Sequence, residues 1–161
     1  MLKGIHNGAQ LYVGDPRRTS SARWATLWLG LDVGSDISLA NAMGREIIAA
    51  GLANHKFIQH ATSRFEAYRA HVEYYTLERA ERETGVPADA IRKMALAYAS
   101  APRAQLCWTL GITEHHNAVD NVVALINLAL LTGHVGRYGS GVNPLRGQNN
   151  VQGGGDMGAI P

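Results

Sequence analysis

Cysteine is almost missing from this chain: Cys107 stands alone among 161 residues. A single thiol excludes an internal disulfide framework and any iron–sulfur cluster held by cysteines of this segment alone, so a buried structural thiol is expected. Surplus charge is missing too. The formal net charge is only +2, which gives little field for holding a nucleic acid or another polyanion. Long apolar runs are absent. The longest, Val122 to Leu131, is interrupted by Asn127 and falls far short of the about 20 residues that span a bilayer. The opening MLKGIHNGAQ has no apolar core of the length a secretory signal needs, so cytoplasmic residence is expected. No internal repeat is visible.

What remains is the composition of a globular chain, 46% apolar and 17% charged, at a length that suits one domain with a real core. Gln10 to Gly14 reads as a short buried strand stopped by Pro16, with Thr19 or Ser20 placed to cap a short helix. Leu27 to Leu31 reads as the next strand. Gly34-Ser35-Asp36 then turns the chain and caps a helix running to about Ala50, with Ile37, Ala40, Ile47 and Ile48 at helical spacing and Gly51 as its stop. Helices are expected near 54–60, 64–74 and 77–84, and another after Pro87 with Ile91, Met94 or Ala95, and Tyr98 on one face. Arg103 to Leu110 reads as a third strand ended by Gly111. The helix from about Ala118 to Leu131 is apolar on nearly every side and is expected to be wholly buried. Strand, turn and helix in alternation is the grammar of a parallel α/β sheet.

Candidate chemistry sits at the strand ends. Asp15 and Asp36 each follow the carboxyl end of an expected strand, where ligands bind in open α/β sheets. A carboxylate repels phosphate, but it accepts two parallel hydrogen bonds from guanine's N1–H and exocyclic amine, or from ribose hydroxyls. Arg17, Arg18 or the helix start after Gly34 suit phosphates better. The plainer alternative makes Asp15 a turn residue and Ser35 and Asp36 caps. Glu114, His115 and His116 are consecutive, and adjacent side chains rarely converge on one ion, so a solvated helix start is expected there. His6, His55, His60, His71 and His134 are scattered and receive no role.

The last stretch, GSGVNPLRGQNNVQGGGDMGAIP, has no helical or strand period. By composition it is a Gly/Asn/Gln-rich tail or a loop lining a site, in which glycines admit close backbone approach and Arg146 supplies the charge. A guanidinium presents a planar fork that matches a carboxylate with two hydrogen bonds.

The run VNPLRGQNNVQG followed by DMGAIP, together with GDPRRT, VGSD and NLALLTGHVGR in this order, closely resembles the middle section of molybdenum-dependent formate dehydrogenase catalytic subunits, within the molybdopterin oxidoreductase superfamily. The resemblance covers nearly the whole chain. It implies an α/β fold, a parallel-sheet α/β/α fragment with a helical middle section and a long Gly/Asn/Gln-rich loop at the C-terminal end. Residues 1–161 would form an incomplete central segment, without the iron–sulfur region, the cysteine or selenocysteine metal ligand and the later dinucleotide-binding domain. The implied cofactor is a bis-molybdopterin guanine dinucleotide carrying molybdenum or tungsten, with an iron–sulfur cluster in the parent that this segment does not bind. Asp15, Pro16, Arg17, Gly34, Ser35 and Asp36 would contact its guanosine ends, and Leu110, Gly111 and Glu114 would form a further cofactor-approaching turn. Arg146 would orient formate, and Gln148 would complete the polar wall. The implied partners are formate, the rest of the catalytic subunit and electron-transfer subunits.

The chain departs from the family's habits in three places. Glutamine is common where Glu114 stands, asparagine where His134 stands, and cysteine where Gly155 stands. The parent activity implied is oxidation of formate to carbon dioxide, and the isolated segment is expected to be inactive. A guanine-nucleotide-binding module without catalysis, a sister oxidoreductase with another substrate, and a gene remnant are the alternatives.

Overall fold

A computed structural model describes residues 1–159; the last two residues of the DMGAIP run lie outside them. In chain order the elements are α1 (Leu2–His6), β1 (Tyr12–Gly14), α2 (Ser20–Arg23), β2 (Leu27–Leu29), α3 (Asp36–Ala49), α4 (His55–Ala61) and α5 (Phe65–Val72). They continue with α6 (Leu77–Thr84), α7 (Ala88–Ser100), β3 (Gln105–Trp108), α8 (Leu110–Thr113), α9 (Ala118–Thr132), β4 (Gly141–Pro144) and α10 (Val151–Asp156). The fold is α/β, and its strands pair in parallel as expected. They do so as two separate pairs: β1 on β2, with Tyr12 opposite Leu27, and β3 on β4, with Gln105 opposite Gly141.

The helical middle falls where proline, glycine and capping residues put it. Asn54 accepts from the Phe57 N–H at 3.0 Å to start α4, Thr76 accepts from the Arg79 N–H at 3.2 Å to start α6, and left-handed Gly85 ends α6. Such caps satisfy backbone groups that the helix cannot. Around these helices α3 is the hub, packed against α5, α6, α7 and α9. Leu39, Ala40, Ala42, Met43 and Ile47 are buried along it, and Ile91 and Ala95 of α7 and Leu128 of α9 close over it. Glu46 of α3 is buried at 6% exposure, and Arg92 of α7 donates to it at 2.8 Å.

Several expectations are corrected. The strands are shorter than their apolar runs: β2 stops before Gly30, and Leu110 opens α8 instead of closing β3. Cys107 is exposed, since β3 alternates outward and inward and Cys107 falls on an outward position. α9 is not buried all round: Val119 is 76% and Val123 46% exposed. The glycine-rich end is not all loop, for it holds β4 and α10. Neither Thr19 nor Ser35 caps with its side chain.

Two glycines are fixed by close neighbours. The Trp28 indole fills the space beside Gly30, where a Cβ would lie 2.8 Å from Cζ2. A Cβ on buried Gly44 of α3 would collide with the Tyr68 hydroxyl of α5, which is buried without a hydrogen-bond partner. Gly44→Ala is therefore expected to destabilise the protein even though alanine gains about 1 kcal/mol of helix propensity, since overpacking costs about 1–3 kcal/mol. Tyr68→Phe removes only an unsatisfied hydroxyl; it should be neutral or stabilising alone and should rescue Gly44→Ala, as read from urea unfolding midpoints.

Candidate functional site

Strands paired in parallel deliver their carboxyl ends to one edge. At the first pair, the Asp15 N–H donates to Leu29 O at 3.1 Å, so β1 and β2 end together. Trp28 Nε1 donates to Asp15 O at 2.8 Å, and the Arg18 guanidinium lies 5.8 Å from the Trp28 ring centroid. The Asp15 carboxylate closes a turn on itself: Oδ1 accepts from the Arg17 N–H at 2.8 Å. An ionised carboxylate has about four acceptor positions, so this bond leaves acceptor capacity free. The Pro16, Arg17 and Arg18 side of the turn is exposed, and the Arg17 side chain is held only by a 4.0 Å approach of Nε to Asp15.

β2 leads through Gly34, which adopts a left-handed φ of 85° with open space where a side chain would stand. Buried Ser35 turns its hydroxyl back to donate to Asp32 O at 2.6 Å. Asp36 is then the first residue of α3. Burial raises its carboxyl above the ordinary carboxylate range, opposed by a bond from its own backbone and by the charge of His115. His115 is half-buried, whereas Glu114 and His116 are exposed, as expected of a solvated turn.

The second pair brings the remaining candidates together. The Leu145 N–H donates to Trp108 O at 2.7 Å, continuing the ladder past Pro144. Leu110 packs against Gly147, where a Cβ would lie 3.8 Å from its Cδ1. Leu110, Gly111, Arg146 and Gln148 therefore share one exposed corner, with open space beside Gly111. Arg146 has no ion-pair partner among the described residues. Asn150, in the left-handed region at φ 54°, starts α10, and its carboxamide lies over Gly153.

Three residues that shape this edge escaped the sequence reading. Trp28 props the Asp15 turn. Asn121, 1% exposed, donates from Nδ2 to Ile112 O at 3.0 Å and ties α8 to α9; an asparagine inside an otherwise apolar helix was the signal. His134 is also 1% exposed, and nothing in its local sequence separated it from the other histidines.

The molybdopterin oxidoreductase family model matches residues 2–160. The chain is 48% identical to formate dehydrogenase H of Escherichia coli (strain K12), over all of this chain and 22% of that protein. It is 45% identical to F420-dependent formate dehydrogenase 2 subunit alpha of Methanococcus maripaludis, again over the full chain and 24% of that protein. The chain thus spans less than a quarter of these curated relatives. Among solved structures, acetylene hydratase from Pelobacter acetylenicus superposes with a TM-score of 0.82 at 29% identity, over 86% of this chain and 19% of that one. With the family model matched from end to end and the parallel strand pairs in place, the chain belongs to the molybdopterin oxidoreductase family.

Proposed function

We propose that this chain is the central segment of a formate dehydrogenase catalytic subunit, holding the guanosine ends of a bis-molybdopterin guanine dinucleotide and orienting formate beside its metal. The observation that carries the reading is Arg146: an exposed guanidinium without an ion-pair partner among the described residues, two positions past β4 and beside α8. The full-length likeness to proteins named formate dehydrogenase supports it. Acetylene hydratase, whose name gives an uncharged substrate, supports the rival reading of a sister enzyme. An uncharged substrate has no use for a carboxylate-binding fork, and that favours formate.

The residues present fit the cofactor in their chemistry. Asp36 is a half-buried acceptor without a side-chain hydrogen bond among the described residues and Asp15 has acceptor positions to spare, which suits the N–H edge of guanine. Arg17 and Arg18 are exposed cations for phosphate oxygens, and Gly34 and Gly111 leave their backbone open to close approach. Pro16 and Ser35 shape those two turns, and Leu110 and Glu114 bound the α8 turn. Acceptance of two electrons is the chemistry that bound molybdenum or tungsten supplies.

The steps assigned to this chain are binding and orientation. Formate becomes carbon dioxide by losing its C–H proton and two electrons. Arg146 holds both carboxylate oxygens with parallel N–H bonds, which fixes the direction of the C–H bond. Gln148 offers a neutral amide beside it, and exposed Leu110 and Leu145 supply apolar surface that keeps water from the bound carboxylate. The remainder of the catalytic subunit and electron-transfer subunits complete the path for electrons.

The test uses the complete enzyme carrying this segment. Removing a positioned cationic donor lowers turnover by about 10²–10³-fold, so Arg146→Ala should fall in that range, and Arg146→Lys, which keeps charge without the fork, should land between. Formate oxidation normalised to bound metal is the measurement, and a ratio within a few-fold of wild type for alanine overturns the assignment.

Asp36 yields a second prediction. Its folded-state pKa is raised, so the ionised form costs stability, and that cost grows as pH rises through the folded value and vanishes below the unfolded one. Asp36→Asn should therefore raise the melting temperature of the cofactor-free enzyme at pH 7, with a gain that shrinks toward pH 4, while lowering bound metal in the loaded enzyme. A melting temperature unchanged or lowered at pH 7 would contradict it.

A further inference from the structure

α7 and α9 end side by side, and each hands the chain to one strand of the second pair. His134 follows Gly133, the left-handed cap of α9. Its Nε2 lies 3.0 Å from Tyr98 O in the last turn of α7, and its Nδ1 lies 2.7 Å from Arg137 Nη2. A carbonyl only accepts and a guanidinium only donates, so both partners require a neutral ring with its proton on Nε2. The Tyr98 ring packs edge-on against the imidazole at 5.0 Å.

This contact is in step with the sheet. The same number of residues separates Tyr98 from Gln105 as separates His134 from Gly141, and Gln105 and Gly141 are the first register pair. The two connections are joined on the way: Ala104 N–H donates to Ser140 Oγ at 3.2 Å, and Gly141 N–H donates to Ala104 O at 3.3 Å. Gly139, at φ 76°, makes room for the Arg103 stem. A one-residue slip of β4 would turn each of its side chains to the other face, and Arg146 lies just beyond its end.

We propose that His134 is a positioning residue for Arg146: its neutral ring, bridging the Tyr98 carbonyl and Arg137, fixes the register in which β4 reaches the site, and protonation at Nδ1 releases it. A proton there replaces a hydrogen bond from Arg137 with like-charge repulsion. Burial, aided by the Arg137 charge and opposed by the Tyr98 carbonyl, holds the ring's pKa below its ordinary value. The titratable and charged groups facing the ring are Tyr98 from α7 and Arg137 from its own connection. The stabilisation is thus complete above about pH 6.5 and is lost as pH falls through the depressed folded value.

Only the kinetic arm of the test rests on the formate reading. In the loaded full-length enzyme, amide exchange of residues 139–148, corrected for intrinsic rates, is followed from pH 8 to pH 5. Wild type should lose protection as pH falls. His134→Gln, whose Nε2 donor does not titrate, should keep neutral-pH protection and lose the pH dependence; His134→Ala should exchange on the order of 10-fold faster at every pH. Should alanine loosen α3 amides as well, the glutamine variant decides. Wild-type protection that is independent of pH, or unchanged exchange in both variants, overturns the proposal. For formate, His134→Ala should lower kcat/KM about 10-fold with Arg146 present and have no further effect with Arg146→Ala. Additive losses overturn the link to Arg146. The expected exchange behaviour without any formate turnover upholds the register role and sinks the formate reading instead.

Discussion

A helix packed on several sides must be built of small residues, and α3 meets that demand with Ala40, Ala42 and Gly44 among its buried positions. Four helices close on it, so its axis sets theirs. The closeness has an electrostatic condition. Glu46 is buried in this packing, and an unpaired buried carboxylate would be strongly destabilising; Arg92 from α7 and Arg45 beside it meet the need. With α3 held in this way, its first residue, Asp36, stays half-buried, and that burial raises the pKa of its carboxyl.

The candidate residues differ in depth according to their charge. Arg17, Arg18 and Arg146 are exposed and lightly engaged, while Asp15 and Asp36 sit closer to the body. A ligand with anionic oxygens and an N–H-bearing ring meets complementary groups at both depths. Such an arrangement selects by chemistry, because a purely anionic ligand would be repelled by the carboxylates.

The sequence made the helices legible because their ends carry punctuation: Asn54, Thr76, Gly85 and Pro87 fall within a residue or so of observed boundaries. The strands were harder, since each is shorter than its apolar run. β4 was invisible, for Gly-Val-Asn-Pro has neither the branched residues nor the alternation of a strand; it is ordered by the edge that β3 offers. α10 was equally hidden, because three glycines are poor helix formers and its start depends on Asn150 adopting a left-handed conformation. At the site, Asp15 and Asp36 could be placed after expected strands from the alternation of elements, and Arg146 in a loop singled out by the motif. His134 could not, because its partners are a carbonyl 36 positions earlier and an arginine whose aim no local pattern encodes.

The Trp28 indole over Gly30 couples two positions. The same side chain that props the Asp15 turn occupies the volume a residue-30 side chain would need. Alanine at position 30 would meet the indole where it stands, whereas a smaller residue at 28 would make room and lose the bond to Asp15 O. A side chain at 30 therefore requires that the indole shift or be replaced by something smaller.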